Sequence, residues 1–141
     1  MLYLAKLKQL ARGFLISEMY AFGSRAREIA ARIRGETPAL EFPDSDVDIG
    51  VQPEPGKHLS IQEKVKLAIE LEDLFGVPRI DLVVIPEVNP FLAVEIIRGE
   101  LLYCQDPDEQ AEHELYILAR AGDLACYERE RIERILSGAY S

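Results

Sequence analysis

The chain has 141 residues and a net charge of −9, with 48% hydrophobic and 29% charged residues. That length and composition suit one globular domain, 1–141, with a core that needs no disulfide or structural metal. Residues 1–35 hold seven Lys/Arg against two Glu, while residues 36–141 sum to −14. The acidic bulk excludes a broad nucleic-acid surface, which needs Lys and Arg to neutralise phosphates, whereas the small basic excess around Arg25 and Arg27 suits a nucleotide triphosphate.

Cys104 and Cys126 lack metal-ligand spacing and read as two free thiols in a reducing compartment. Lys6, Lys8, Arg12 and Gly13 interrupt the N-terminal apolar residues, so no signal-peptide core forms. No run is long enough to span a bilayer, and a cytoplasmic location is expected.

In chain order, Leu7, Leu10, Ala11, Phe14 and Leu15 fall at helical spacing and give an amphipathic first helix ending near Gly13. Ile16–Phe22 reads as a strand stopped by Gly23-Ser24. Ala26, Ile29, Ala30 and Ile33 line one face of a second helix, with Gly35 as its stop. Residues 36–43 contain two prolines and read as a loop. Asp46–Val51 alternates as a half-buried strand does, and 52–58 is a connection. Ser60-Ile61-Gln62-Glu63 has the form of a capping box. The helix it opens is expected to bury Ile61, Val65, Ala68, Leu71, Leu74 and Phe75, and to end at Gly76.

Arg79–Ile85 reads as a third strand in which Asp81 stands alone among apolar residues, costly to bury unless paired or bound to a cation. A short helix over Asn89–Arg98, a strand over Leu101–Cys104 and a long helix from Asp106-Pro107 to Leu136, broken near Gly122, complete the chain. Its apolar side (Ala111, Leu115, Leu118, Leu124, Ala125, Ile132, Ile135) is expected to pack inward or against a partner. The reading is therefore α/β (α+β), a small mixed sheet flanked by helices, with a core over 1–105 and a C-terminal helical segment over 106–141.

Asp46 and Asp48 lie two residues apart on an extended chain, so their carboxylates share a face about 7 Å apart along the backbone and can grip a hard cation. Gly23-Ser24, between a strand and a helix, offers N–H groups and a hydroxyl to phosphate. With Asp81 as a third carboxylate, Asp46, Asp48 and Asp81 form a candidate two-ion Mg²⁺ site. A phosphate cradle followed by an aspartate pair is the equipment of metal-assisted nucleotidyl transfer. Ser24 is also a candidate helix cap, and Arg25 and Arg27 are either phosphate partners or ordinary helix-surface arginines. His58 and His113 support no nucleophilic triad, and Tyr103, Tyr116, Tyr127 and Tyr140 read as packing residues.

Gly23-Ser24, then Asp46-x-Asp48, then Asp81 within Arg-Ile-Asp-Leu-Val-Val-Ile resembles the DNA polymerase β superfamily of nucleotidyltransferases. Phe-Gly-Ser-Arg-Ala-Arg followed by Asp-Ser-Asp-Val-Asp-Ile is particularly similar to the nucleotidyltransferase antitoxins paired with HEPN-domain toxins. The resemblance covers roughly 5–105, and more loosely Ala121-Gly-Asp-Leu-Ala-Cys-Tyr-Glu-Arg near the C-terminus. It implies a polymerase-β-like core with a C-terminal helix, Mg²⁺, ATP as substrate and, for the antitoxin branch, transfer of AMP to a tyrosine of a HEPN-type toxin. Two departures stand out. Residues 25–45 make a longer spacer between Ser24 and Asp46 than the minimal family has, and Glu28 replaces a usual glycine, which predicts a longer second helix and loop. The insertion over 28–40 bears on how open the site is and which acceptor fits. Two alternatives remain: a small-molecule, aminoglycoside-type nucleotidyltransferase, and a catalytically inactive partner-binding module. Base preference, number of nucleotides transferred and oligomeric state stay open.

Overall fold

A computed structural model describes residues 2–36 and 44–138. The element order is α1 (Leu2–Gly13), β1 (Ile16–Phe22), α2 (Ala26–Ile33), β2 (Val47–Pro53), α3 (Ile61–Phe75), β3 (Ile80–Val84), a single 3-10 turn (Ile85–Glu87), α4 (Pro90–Ile97), β4 (Glu100–Cys104) and α5 (Pro107–Gly138). The strands form one mixed sheet in the order β3-β2-β1-β4. β1 is antiparallel to both β2 and β4, and β2 is parallel to β3. The expected loop falls, from residue 37 to 43, outside the described residues.

Helices cover both faces, which is why the central strands are nearly continuous apolar runs. Met19, Ala21, Val47, Ile49 and Val51 point to one face, where they join Leu7 and Ala11 of α1, Ile29 of α2, and Leu67, Leu71 and Phe75 of α3 in the main core. Tyr20 points to the other face and packs with Ala93 and Ile96 of α4 and Ile117 of α5. Gly50 makes that second layer possible, because a Cβ there would run into the Ile96 side chain.

Local signals set most boundaries. Ser60 and Glu63 form the reciprocal capping box: Glu63 N donates to Ser60 Oγ at 3.1 Å and Ser60 N donates to Glu63 Oε1 at 2.9 Å. Lys57 and the Ser60 amide hold the Glu63 carboxyl below its ordinary range. At the end of α2, Gly35 N donates to Arg32 O and Glu36 N to Ala31 O, the Schellman closure expected of a glycine stop.

Two expectations are corrected. α3 buries Leu67, Leu71 and Phe75, whereas Ile61 and Val65 are 77% and 54% exposed. The helix carries two apolar stripes, and docking on α1 and β3 selects one; Ile61, Val65 and Ile69 keep the other facing water. Asp81, the lone charge in this otherwise apolar strand, is exposed. α5 runs through Gly122 without a break. Ile117 and Ala121 are its buried residues, while Ala111, Leu115, Leu118, Ile132 and Ile135 are exposed and Leu124 and Ala125 half-buried. At 1.5 Å per residue it is about 48 Å long, roughly twice the length of the strands beneath it, so its second half overruns the sheet.

Ser60→Ala removes one half of the capping box and is expected to lower stability by about 1 kcal/mol, seen as a lower denaturant midpoint with unchanged slope.

Candidate active site

The candidate site lies where β1 ends and β2 and β3 begin. Backbone pairing puts Phe22 opposite Asp48 across the antiparallel ladder, and Asp48 opposite Asp81 across the parallel one. Paired residues project to the same face, so the two carboxylates stand side by side. Asp46 precedes β2 and, two residues from Asp48, leans to the same face. The electrostatics record the convergence: burial, then the charge of Asp81, then that of Asp46, push the Asp48 carboxyl above its ordinary value. Arg79 lies at the surface with its Nε 3.7 Å from Asp46 Oδ2.

Gly23 closes this end from the side of β1. Its φ is +76°, and a Cβ built on it would strike the Asp48 carboxylate. Only glycine permits both the left-handed turn and the close approach. Ser24 is exposed and does not cap α2; the N-cap is Arg25, with no side-chain cap bond. Ala26 N donates to the Gly23 carbonyl at 3.3 Å, and no side chain caps this end of α2 beside the carboxylates.

The two arginines separate. Arg27 is exposed. Arg25 is 6% exposed, donating from Nε to Glu28 Oε1 at 3.0 Å, from Nη2 to Glu28 Oε2 at 2.7 Å, and from Nη1 to the Ser45 carbonyl at 3.1 Å. Arg32 Nη2 lies 2.8 Å from the same Glu28 carboxylate, and Arg32 also donates to the Phe75 carbonyl. Arg25 thus ties α2 to the residue before Asp46, a positioning role instead of an open phosphate contact. Glu28 is the centre of this clamp. Sequence reasoning missed both the clamp and Arg79; the i, i+3 and i, i+4 spacing of Arg25, Glu28 and Arg32 was the available signal.

Residues that fit divalent ions are present: three converging carboxylates and a glycine turn shaped against one of them. A second group, Glu18, Glu109 and His113, lies elsewhere, beneath the start of α5.

Two outcomes follow. The folded Asp48 titrates higher than the unfolded residue, so folding favours its protonated form; this group's repulsion is fully present at neutral pH and fades as pH falls through the folded value. Asp48→Asn is therefore expected to stabilise the metal-free protein at neutral pH by about 0.5 kcal/mol after solvent screening, with the gain shrinking in acid, measured by denaturant melts across pH. Glu28→Gln leaves Arg25 buried without a countercharge and is expected to cost about 3 kcal/mol, measured the same way.

Residues 5–108 match the family model described as Polymerase beta, Nucleotidyltransferase. A comparison with curated protein sequences finds no match. Among solved structures, the fold is similar to a chain of the toxin–antitoxin MntA–HepT, with TM-score 0.65 and 17% identity over 96% of this chain and 97% of that one. It is also similar to a chain of a toxin–antitoxin crystallised with AMP-PNP, with TM-score 0.66 and 18% identity over 94% and 98%. A third similarity is to a chain of the tri-AMPylated HEPN toxin of Shewanella oneidensis in complex with MNT antitoxin, with TM-score 0.64 and 18% identity over 96% and 97%. With the family model spanning most of the chain and the sheet carrying the acidic end just described, this protein belongs to the polymerase β nucleotidyltransferase family.

Proposed function

We propose that the chain is a Mg²⁺-dependent protein adenylyltransferase that moves AMP from ATP to a hydroxyl of a HEPN-type toxin and so serves as its antitoxin. The observation that carries the reading is the convergence of Asp46, Asp48 and Asp81 beside the Gly23 turn. Asp46, Asp48 and Asp81 would hold two Mg²⁺ ions, which neutralise phosphate charge and lower the pKa of an acceptor hydroxyl when bound. Gly23 lets the chain come close to the triphosphate; Ser24 and the first N–H groups of α2 face it, where the helix dipole favours anions. Arg27 is the exposed guanidinium beside this turn, while Arg25 holds the Ser45–Asp46 backbone in place. In the reaction the acceptor oxygen forms a bond to the α-phosphorus, the bond to the bridging oxygen breaks, the hydroxyl proton is lost and pyrophosphate departs.

The partner reading rests on surface character. The core over 1–105 would carry the chemistry and the segment over 106–141 the docking. Leu115, Tyr116, Leu118, Ile132, Ile135 and Leu136 are all exposed on α5. A net charge of −9 complements a basic, RNA-cleaving partner. Among the described residues no helix is long and apolar enough to cross a membrane; a cytoplasmic location accords with the reducing compartment suggested by two free cysteines.

The test combines the protein, the product of its neighbouring gene, α-labelled ATP and Mg²⁺. Label is expected on a partner hydroxyl, with the rate falling roughly a hundredfold or more in Asp46→Asn/Asp48→Asn. Arg27→Ala is expected to raise KM for ATP with kcat little changed. A tight complex that never acquires label, equally in wild type and the double variant, overturns the catalytic reading in favour of a binding module. Label only on added aminoglycosides overturns the protein acceptor.

A further inference from the structure

Glu18 lies inside β1 and is 1% exposed. A carboxylate there must find compensation, because burying an unpaired charge is expensive. Its Oε1 lies 2.5 Å from Nδ1 of His113 on α5. Its Oε2 is buried, and no hydrogen-bond partner reaches it among the described residues. Glu109 stands four residues before His113, one turn earlier on the same face of α5, and brings Oε1 to 3.8 Å from the other ring nitrogen. That oxygen too is buried without a hydrogen bond. One ligand atom from each of Glu18, Glu109 and His113 lies within 4.8 Å of the other two.

A proton on His113 Nδ1 satisfies Glu18 Oε1 but leaves Oε2 orphaned, and orphaned buried oxygens are rare in folded proteins. A cation held by one atom of each group would give the orphaned carboxylate oxygens a partner. We propose that Glu18, Glu109 and His113 form a binding site for a divalent transition-metal ion of the Zn²⁺ class, separate from the site of Asp46, Asp48 and Asp81 on β2 and β3. The donor set decides the class. One imidazole and two carboxylates suit Zn²⁺, whereas Mg²⁺ and Ca²⁺ prefer oxygen alone. Two ligands four residues apart on a helix are a spacing that metal sites use repeatedly. The third ligand comes from the sheet, so the ion joins β1 to the first turns of α5, where Tyr20 Oη already donates to Glu114 at 2.8 Å. Water completes the coordination.

The experiment uses the full-length chain in the Asp46→Asn/Asp48→Asn background, stripped with chelator, so that the proposed catalytic carboxylates do not dominate the signal and the result does not depend on nucleotidyl transfer. ZnCl₂ is titrated by calorimetry, and CoCl₂ by visible absorption. One equivalent is expected to bind, and Tm is expected to rise by about 5 °C or more at a hundredfold excess over Kd. His113→Ala and Glu109→Gln are each expected to weaken binding roughly tenfold or more and to remove most of the Tm rise. Glu18→Gln is expected to do the same; should it fail to fold, the two α5 variants decide. Absence of saturable binding, or binding that all three variants retain, overturns the site. Stability that follows pH through the imidazole range but ignores Zn²⁺ also overturns it, and makes the group a buried histidinium ion pair.

Discussion

Hydrogen bonding along β2 governs the acidic end of this molecule. β2 lies between β1 and β3, and its register with β3 sets Asp48 directly beside Asp81. The ladder fixes the two backbone positions side by side, so like charges are held close and Asp48 bears the cost as a raised affinity for its proton. The other partner ladder brings Phe22, and therefore the Gly23 turn, against the same carboxylate. A sheet satisfied in its backbone thus enforces a side-chain arrangement that is unfavourable by itself, which is what a site for cations and phosphate requires.

Around that end the protein spends buried charge on alignment. The Arg25–Glu28–Arg32 group runs from the N-cap of α2 to its last turn, and its hydrogen bonds reach Ser45 on one side and Phe75 on the other. An ion pair so enclosed contributes little net stability compared with apolar packing, but it allows few geometries. The backbone entering Asp46 is thereby fixed relative to both α2 and the end of α3. On the opposite face of the sheet, Gly50 lets α4 approach closely, while α5 docks by its first turns and leaves much of its apolar surface to water. Rigidity at the proposed catalytic end and an unpartnered surface on the long helix divide the labour between chemistry and docking.

Reading the chain residue by residue recovered much of this. Strand alternation located β1 and placed β2 and β3 to within about two residues, as is usual for element ends. The Ser60–Glu63 box and Gly76 bounded α3 because capping is a local matter of four or five residues. Asp46 and Asp48 were legible as a pair because period-two geometry needs no tertiary information. Asp81 stands out in the sequence as a lone charge in an apolar strand, while its exposure shows only in the fold. Glu18 was passed over in β1, although a charged residue inside an apolar strand carries the same warning that drew attention to Asp81.

What the sequence determined by itself were the elements, their caps and the spacing of the acidic pair, since each follows from dihedral preference and periodicity over a few residues. Tertiary structure alone decided which stripe of α3 is buried, that Arg25 turns inward to Glu28 and Ser45, that β3 lies at an edge, and that Glu18 meets a histidine 95 residues away. These depend on which surfaces dock and in what register. Periodicity is indifferent between two apolar stripes, and a charged side chain does not reveal its partner until the chain has brought the two together.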